Sequence, residues 1–291
     1  MYCIYTDQDV AEESGNLDHI IPLSLGGTNE FVIWSDKDYN SLVGSEVDGA
    51  INKDLLIAPH LMQSGVKGHS KKPTVPRWRK ATIDGRPAQA TLTPTGFEFW
   101  DAIQRRNLTQ DELAGQEITL TFNIGAFTAI RFLAKVILGG SYFIYGEPIK
   151  SVLDCDSLRK IIMLDVDSAR KDEALLASDF KICDRFHRDV QPGGEAYLYR
   201  LACERLGRSV FIAIPHNDAV SFHVGITGSY IGSMICPADT AHMPLDGDHD
   251  LGHVVVLAPG AMERSSLREF MKHLWRDITG TEPPELDEAG S

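Results

Sequence analysis

The run Leu17-Asp18-His19-Ile20-Ile21-Pro22, followed by Leu25-Gly26-Gly27, constrains this chain more than any other stretch. An acid and a histidine stand side by side at the end of an apolar segment, and a proline and two glycines then force a turn. Met1 to Tyr5 predicts a short strand, Asp7 to Asn16 a polar turn, and Leu17 to Leu23 a second strand broken by Pro22. Ser35-Asp36 supplies a helix cap, with Asp38 favourable in the first turn. Over 38–56 the apolar residues Val43, Val47, Ile51 and Leu55 recur every fourth position and predict one buried helical stripe. Asn40 lies three residues before Val43, at the start of that inward face. The order is strand, strand, helix, with polar chemistry between the strand end and the helix start.

Those residue types suit phosphodiester cleavage, which needs an activated water, a sink for developing charge and fixed geometry. Histidine is the side chain suited to take a proton from water at neutral pH, which makes His19 the candidate general base. Asp18 offers a hard oxygen ligand and Asn40 a carbonyl oxygen, a set suited to Mg²⁺ or Mn²⁺ with most of its shell left for water and phosphate. Strand neighbours point to opposite faces, so Asp18 and His19 share one site only if the strand twists or bulges there.

Leu17-Asp18-His19-Ile20-Ile21-Pro22, Leu25-Gly26-Gly27, and Asn40 with Gly44-Ser45 and Asp48 together resemble the HNH endonuclease family, in the variant whose last histidine is asparagine. The resemblance covers roughly residues 1–60. It implies a ββα unit holding one metal over DNA, with His19 as general base and Asp18 and Asn40 as metal ligands. It also implies a middle residue that orients the base, for which Asn29 is the candidate and Glu30 or another loop residue the alternative. Relatives with a structural zinc carry two C-x-x-C pairs. Here Cys3 stands alone, with Thr6 in its partner's place and Asp36 and Tyr39 at the second pair. A structural zinc is therefore not expected, and packing of Tyr5, Trp34 and Tyr39 is expected to hold the unit instead. The resemblance further suggests a restriction or phage-defence role, and a homodimer wherever both strands are to be cut.

A net charge of −13 argues against a general DNA-coating surface, yet 55–83 holds no acid. That strip carries Lys67, Lys71, Lys72, Arg77, Arg79 and Lys80, the candidate phosphate contacts; a solvated linker explains them as well. Trp78 between two arginines is read as pinning the strip to the fold. Gly65, Gly68, Pro73, Pro76, Gly85 and Pro87 make 63–90 a connector.

The fold class expected is α+β: an N-terminal ββα-metal unit over 1–62, the basic connector over 63–90, and a mixed α/β domain with an antiparallel sheet over 91–291. In that last part Ala126 to Ile144 predicts an apolar helix weakened by Gly139-Gly140, Leu158 to Met163 more helix, and Lys171 to Phe180 a short amphipathic one. Tyr197-Leu198-Tyr199, Val210 to Ile214, Val220 to Val224 and Val254 to Leu257 predict strands, and Arg264 to Ile278 a final helix. The tail after Gly280 is rich in proline and acids and is expected to lack structure.

Arg131 and Lys135 interrupt the best apolar run, which predicts a buried helix and no membrane partner. Five scattered cysteines and an N-terminus without a basic start point to the cytoplasm. The polar run with His242, His249 and His253 matches no closed zinc pattern. Two further readings stay open: a catalytically silent DNA-binding regulator, and a nuclease gated by a small-molecule effector on the last domain.

Overall fold

The computed structural model describes residues 1–68, 71, 75–121, 125–164 and 180–283. Its strands are β1 (Tyr2–Cys3), β2 (Gln8–Asp9), β3 (Gly15–His19), β4 (Val32–Asp36), β5 (Arg77–Ile83), β6 (Arg86–Thr93), β7 (Gly96–Asp101), β8 (Arg106–Asn107), β9 (Ile118–Leu120), β10 (Lys181–Asp184), β11 (Ser209–Pro215), β12 (Ala219–Ile226), β13 (Ser229–Pro237), β14 (His253–Ala258) and β15 (Ala261–Ser266). Its helices are α1 (Lys37–Val43), α2 (Gly49–Ile51), α3 (Ala58–Ser64), α4 (Gln110–Leu113), α5 (Ala126–Tyr145), α6 (Ile149–Val152), α7 (Cys155–Ile162), α8 (Tyr197–Leu206) and α9 (Leu267–Thr279). The class is α+β with antiparallel sheets.

Two strands do precede the helix, but they are not the expected pair. Met1 to Tyr5 contributes only β1, which pairs with β2, and the strand expected to run to Leu23 ends at His19. The hairpin is completed by β4, over residues to which sequence reading assigned no strand. β3 and β4 pair antiparallel, with Asp18 opposite Ile33 and His19 opposite Val32. Asp36 caps α1, its Oδ1 accepting from the Tyr39 N–H at 2.9 Å. The helix then widens into a π turn, Gly44–Asp48, before α2. It ends at Ile51, so the stripe Val43, Val47 and Ile51 is buried on the helix while Leu55 follows it in a turn. Tyr5 stacks on Tyr39 at 5.3 Å between ring centroids, and the indole of Trp34 covers Gly15. Aromatic packing thus ties the N-terminal segment to α1 and the two hairpin strands to each other.

A six-stranded sheet, in the order β10-β13-β12-β11-β14-β15, forms the centre of the molecule. In β11 the side chains alternate: Phe211 and Ala213 join one core, Val210, Ile212 and Ile214 another. Ala202, Cys203, Phe270 and Leu274 of α8 and α9 cover the second face. The first face is covered by α5 and, beyond it, the N-terminal unit through Ile4, Tyr5, Ile20, Ile21, Leu25 and Phe31. Both sheet faces are buried, which explains why β11 reads as a continuous apolar run although the sheet is antiparallel.

Gly139-Gly140 sits where α5 is squeezed between these layers. A Cβ at Gly139 would lie 2.4 Å from the Tyr5 hydroxyl, and one at Gly140 would lie 2.8 Å from the Phe211 ring. The pair that costs helix propensity is what lets the helix touch both neighbours. By length and composition Phe127–Tyr145 would suffice to cross a membrane, but most of it is buried inside the protein.

Three further expectations need correction. The stretch read as a connector carries β5 and β6, which join β7, β8 and β9 in a five-stranded sheet with a small core of Ala81, Ile83, Ala88, Ala90 and Phe99. Alternation of Ala81 and Ile83 with polar residues is a half-buried strand signal that the prolines and glycines masked. Trp78 packs on Phe97 at 5.6 Å in this sheet, as the pinning reading expects. Tyr197-Leu198-Tyr199 opens α8, because the apolar positions continue at helical spacing to Ala202, Cys203 and Leu206. Arg264 lies in β15, and the last helix starts only after the Ser266 cap. The helix expected over Lys171 to Phe180 falls on 171–179, outside the described residues, as do Lys72 and the tail from 284. All five cysteines are free and buried.

Candidate active site

The end of β3, the turn after it and one face of the following helix enclose a cavity of about 380 Å³. Asn16, Asp18, His19, Asn40, Gly44, Asp48 and Asn52 are among its lining residues. Gly44, Asp48 and Asn52 recur every fourth residue through the π turn, a local widening often found at functional sites. Asp18 and His19 therefore both line one cavity at the end of β3. Asp18 is 4% exposed and points inward, whereas His19 is half-buried at the wall.

His19 Nε2 lies 3.0 Å from Asn29 Oδ1. A carbonyl oxygen only accepts, so Nε2 is the ring nitrogen that donates there. The loop that presents Asn29 is braced twice. Gly27 N–H donates to the Pro22 carbonyl at 2.9 Å, and Ser209 Oγ donates to the Leu25 carbonyl at 2.8 Å from the central sheet. A Cβ at Gly27 would fall 1.7 Å from the Ile21 carbonyl oxygen, so this turn closes only around glycine. Glu30, the alternative to Asn29, accepts instead from the Met262 N–H of β15 at 3.0 Å.

Asn40 Nδ2 donates to Asn16 Oδ1 at 3.0 Å. That bond turns the Asn40 carbonyl away from Asn16 and fixes the amide orientation at the cavity wall. The ligand atoms that Asp18, Asn40, Asn16 and Asp48 can offer a cation are hard oxygens, and Asp48 Oδ1 is a buried carboxylate oxygen without a hydrogen bond. This donor chemistry fits Mg²⁺ or Mn²⁺ rather than a soft ion.

One cation is already present, and sequence reading did not anticipate it. Lys135, inside α5, is 1% exposed, and its Nζ lies 2.8 Å from Asp48 Oδ2 and 3.4 Å from Asp18 Oδ2. It also donates to the His19 carbonyl at 3.2 Å. Burial works against the ammonium, but the Asp18 and Asp48 carboxylates outweigh it and hold Lys135 above the usual lysine range. Burial pushes Asp48 up, against the pull of the same lysine. The available signal was a lysine in an apolar helix, which requires partners wherever it is buried.

Comparison with protein-family models, curated proteins and solved structures finds no match.

A second cavity, of about 390 Å³, opens on the next face of the same helical segment. Ser45 and Ala50 line it from the helix, Lys53 from the turn just after it, and Arg77, Trp78, Arg79 and Lys80 from β5. Asp54, the acid on its wall, is already paired with buried Arg185. Lys67 and Lys71 are exposed, and Lys67 directly precedes Gly68 on the wall of the first cavity. The basic strip thus divides: Arg77, Arg79 and Lys80 gather with Lys53, a residue sequence reading missed, while Lys67 stays near the first cavity.

Of the late histidines, His242 bonds Asp239 at 2.7 Å and His249 bonds Asp246 at 2.6 Å. His249 also stacks on His253 at 4.1 Å. Among the described residues, the His/Cys/acid group compact enough to hold a metal is Cys183, His187 and Asp189. There His187 Nδ1 already accepts from the Asp189 N–H at 3.2 Å.

Proposed function

We propose that the chain is a divalent-metal-dependent endonuclease of the HNH type that hydrolyses DNA phosphodiester bonds. The observation that carries this reading is the His19–Asn29 hydrogen bond at the wall of a cavity shared with Asp18 and Asn40. With its ring held by Asn29, His19 is the group that takes the proton of the attacking water. Asn29 keeps the ring in that orientation, the work of a positioning residue. Asp18 and Asn40 would hold Mg²⁺ or Mn²⁺, which supplies charge stabilisation to the phosphate and leaving oxygen when bound. Arg77, Arg79, Lys80 and Lys53 take the flanking phosphates, because their cavity adjoins the site around one helix. A single site cuts one strand, so double-strand breaks require a homodimer. The cytoplasm, where free thiols persist, and a restriction or defence role suit this activity.

Plasmid nicking tests it: with Mg²⁺ or Mn²⁺ the wild type relaxes supercoiled DNA and His19→Ala does not. Equal activity in both proteins would overturn the mechanism. One observation favours a second reading, a silent DNA-binding regulator: Lys135 already holds the Asp18 carboxylate. Salt-sensitive DNA binding without cleavage by any metal would select it. Cleavage appearing only with an added small molecule would point to an effector on the last domain.

A further inference from the structure

Lys135 reaches the site from outside the N-terminal unit, since it is carried by α5. Its Nζ is surrounded by Asp48 Oδ2, Asp18 Oδ2 and the His19 carbonyl oxygen, at 2.8, 3.4 and 3.2 Å. Three oxygens from two segments, two of them anionic, form a cation's environment. A structural ion pair would need one partner. Here two carboxylates converge, and Asp48 Oδ1 is left buried without a hydrogen bond. Two buried acids with no cation between them would repel at close range in a medium where that repulsion is poorly screened.

We propose that Lys135 is the inner cation of this site: a resident ammonium that occupies the space between Asp18 and Asp48 and confines an exchangeable divalent ion to the outer position beside Asp18 and Asn40. The assignment of the outer ion rests on the nuclease reading; the inner cation rests only on the distances. The charge balance gives the arrangement a purpose. Two carboxylates and one ammonium sum to −1, so a single divalent ion leaves the site at +1, complementary to a phosphodiester. Without Lys135 the same ion would leave it neutral. Lys135 is also a positioning residue, because its bond to the His19 carbonyl ties the base to the carboxylates.

The test is ion counting on the full chain, which needs no cleavage. Mn²⁺ stoichiometry is read by electron paramagnetic resonance, and thermal unfolding is followed with EDTA and with millimolar Mn²⁺. Lys135→Met is expected to bind one more Mn²⁺ than the wild type, and to melt lower in EDTA but recover with Mn²⁺ by a larger shift than the wild type shows. The same stoichiometry and the same Mn²⁺ response in both proteins would overturn the proposal. Should Lys135→Met fail to fold without metal, Lys135→Met/Asp48→Asn removes the uncompensated charge. That double variant is expected to fold and to bind as many ions as the wild type; an extra ion there would overturn the role given to Asp48. If the wild type binds no Mn²⁺ and Lys135→Met gains one, the outer-ion reading fails while the inner cation stands.

Discussion

His19 and Asn29 are joined by a 3.0 Å hydrogen bond across the turn that follows β3. Pro22, Gly26 and Gly27 shape that turn, and Ser209 anchors it to the central sheet. The ring is therefore held in place by a residue ten positions away. Asn29→Ala is expected to lower nicking less than His19→Ala does. General-base removal costs about 10²- to 10⁴-fold, and loss of orientation alone falls below that range. Nicking rates of the two variants, measured side by side, check the order.

Gly139, at the helix crossing, and Gly44, in the π turn, should respond to alanine with opposite signs. Gly139→Ala places a methyl against the Tyr5 hydroxyl, whose ring is fixed by its stack on Tyr39. A loss of about 1–3 kcal/mol is expected, despite the better helix propensity of alanine. Gly44→Ala meets nothing within 4 Å and is expected to gain up to about 1 kcal/mol. Urea unfolding of both variants reads the contrast.

Acid should destabilise the fold through two histidines of the central sheet. Burial, with His216 nearby, lowers His223 to about 3, and burial with His249 and Arg264 lowers His253 to about 4. Both are neutral in the fold and protonate readily once unfolded, near the ordinary value of 6.5. The unfolded chain then binds more protons, so stability is full above pH 6.5 and falls as pH drops towards 4 and 3. His223→Asn is expected to flatten that slope in melting temperature against pH.

Neutralising the basic cavity should weaken DNA binding without sequence preference. Arg77→Gln and Arg79→Gln are each expected to lower the slope of log affinity against log salt by about one. An unchanged slope would remove β5 from the DNA path.

The N-terminal helix and the turn after β3 were legible because their signals are local: a cap at Asp36, a four-residue stripe, and a turn built from Pro22, Gly26 and Gly27, whereas β4 carried no signal that was read. His19, Asp18 and Asn40 come from that same compact stretch, and one cavity does collect them. The sequence alone also determined the alternating and continuous apolar runs of β11, β12 and β14. The tertiary structure alone decided that Lys135, more than a hundred residues from His19, would enter the site, and that Gly139-Gly140 would be a crossing point. It also gathered Lys53 with Arg77, Arg79 and Lys80. Periodicity tells which face of an element is apolar; it does not tell which other element that face will meet. A buried charge or an absent Cβ acquires its meaning only from the atoms packed against it.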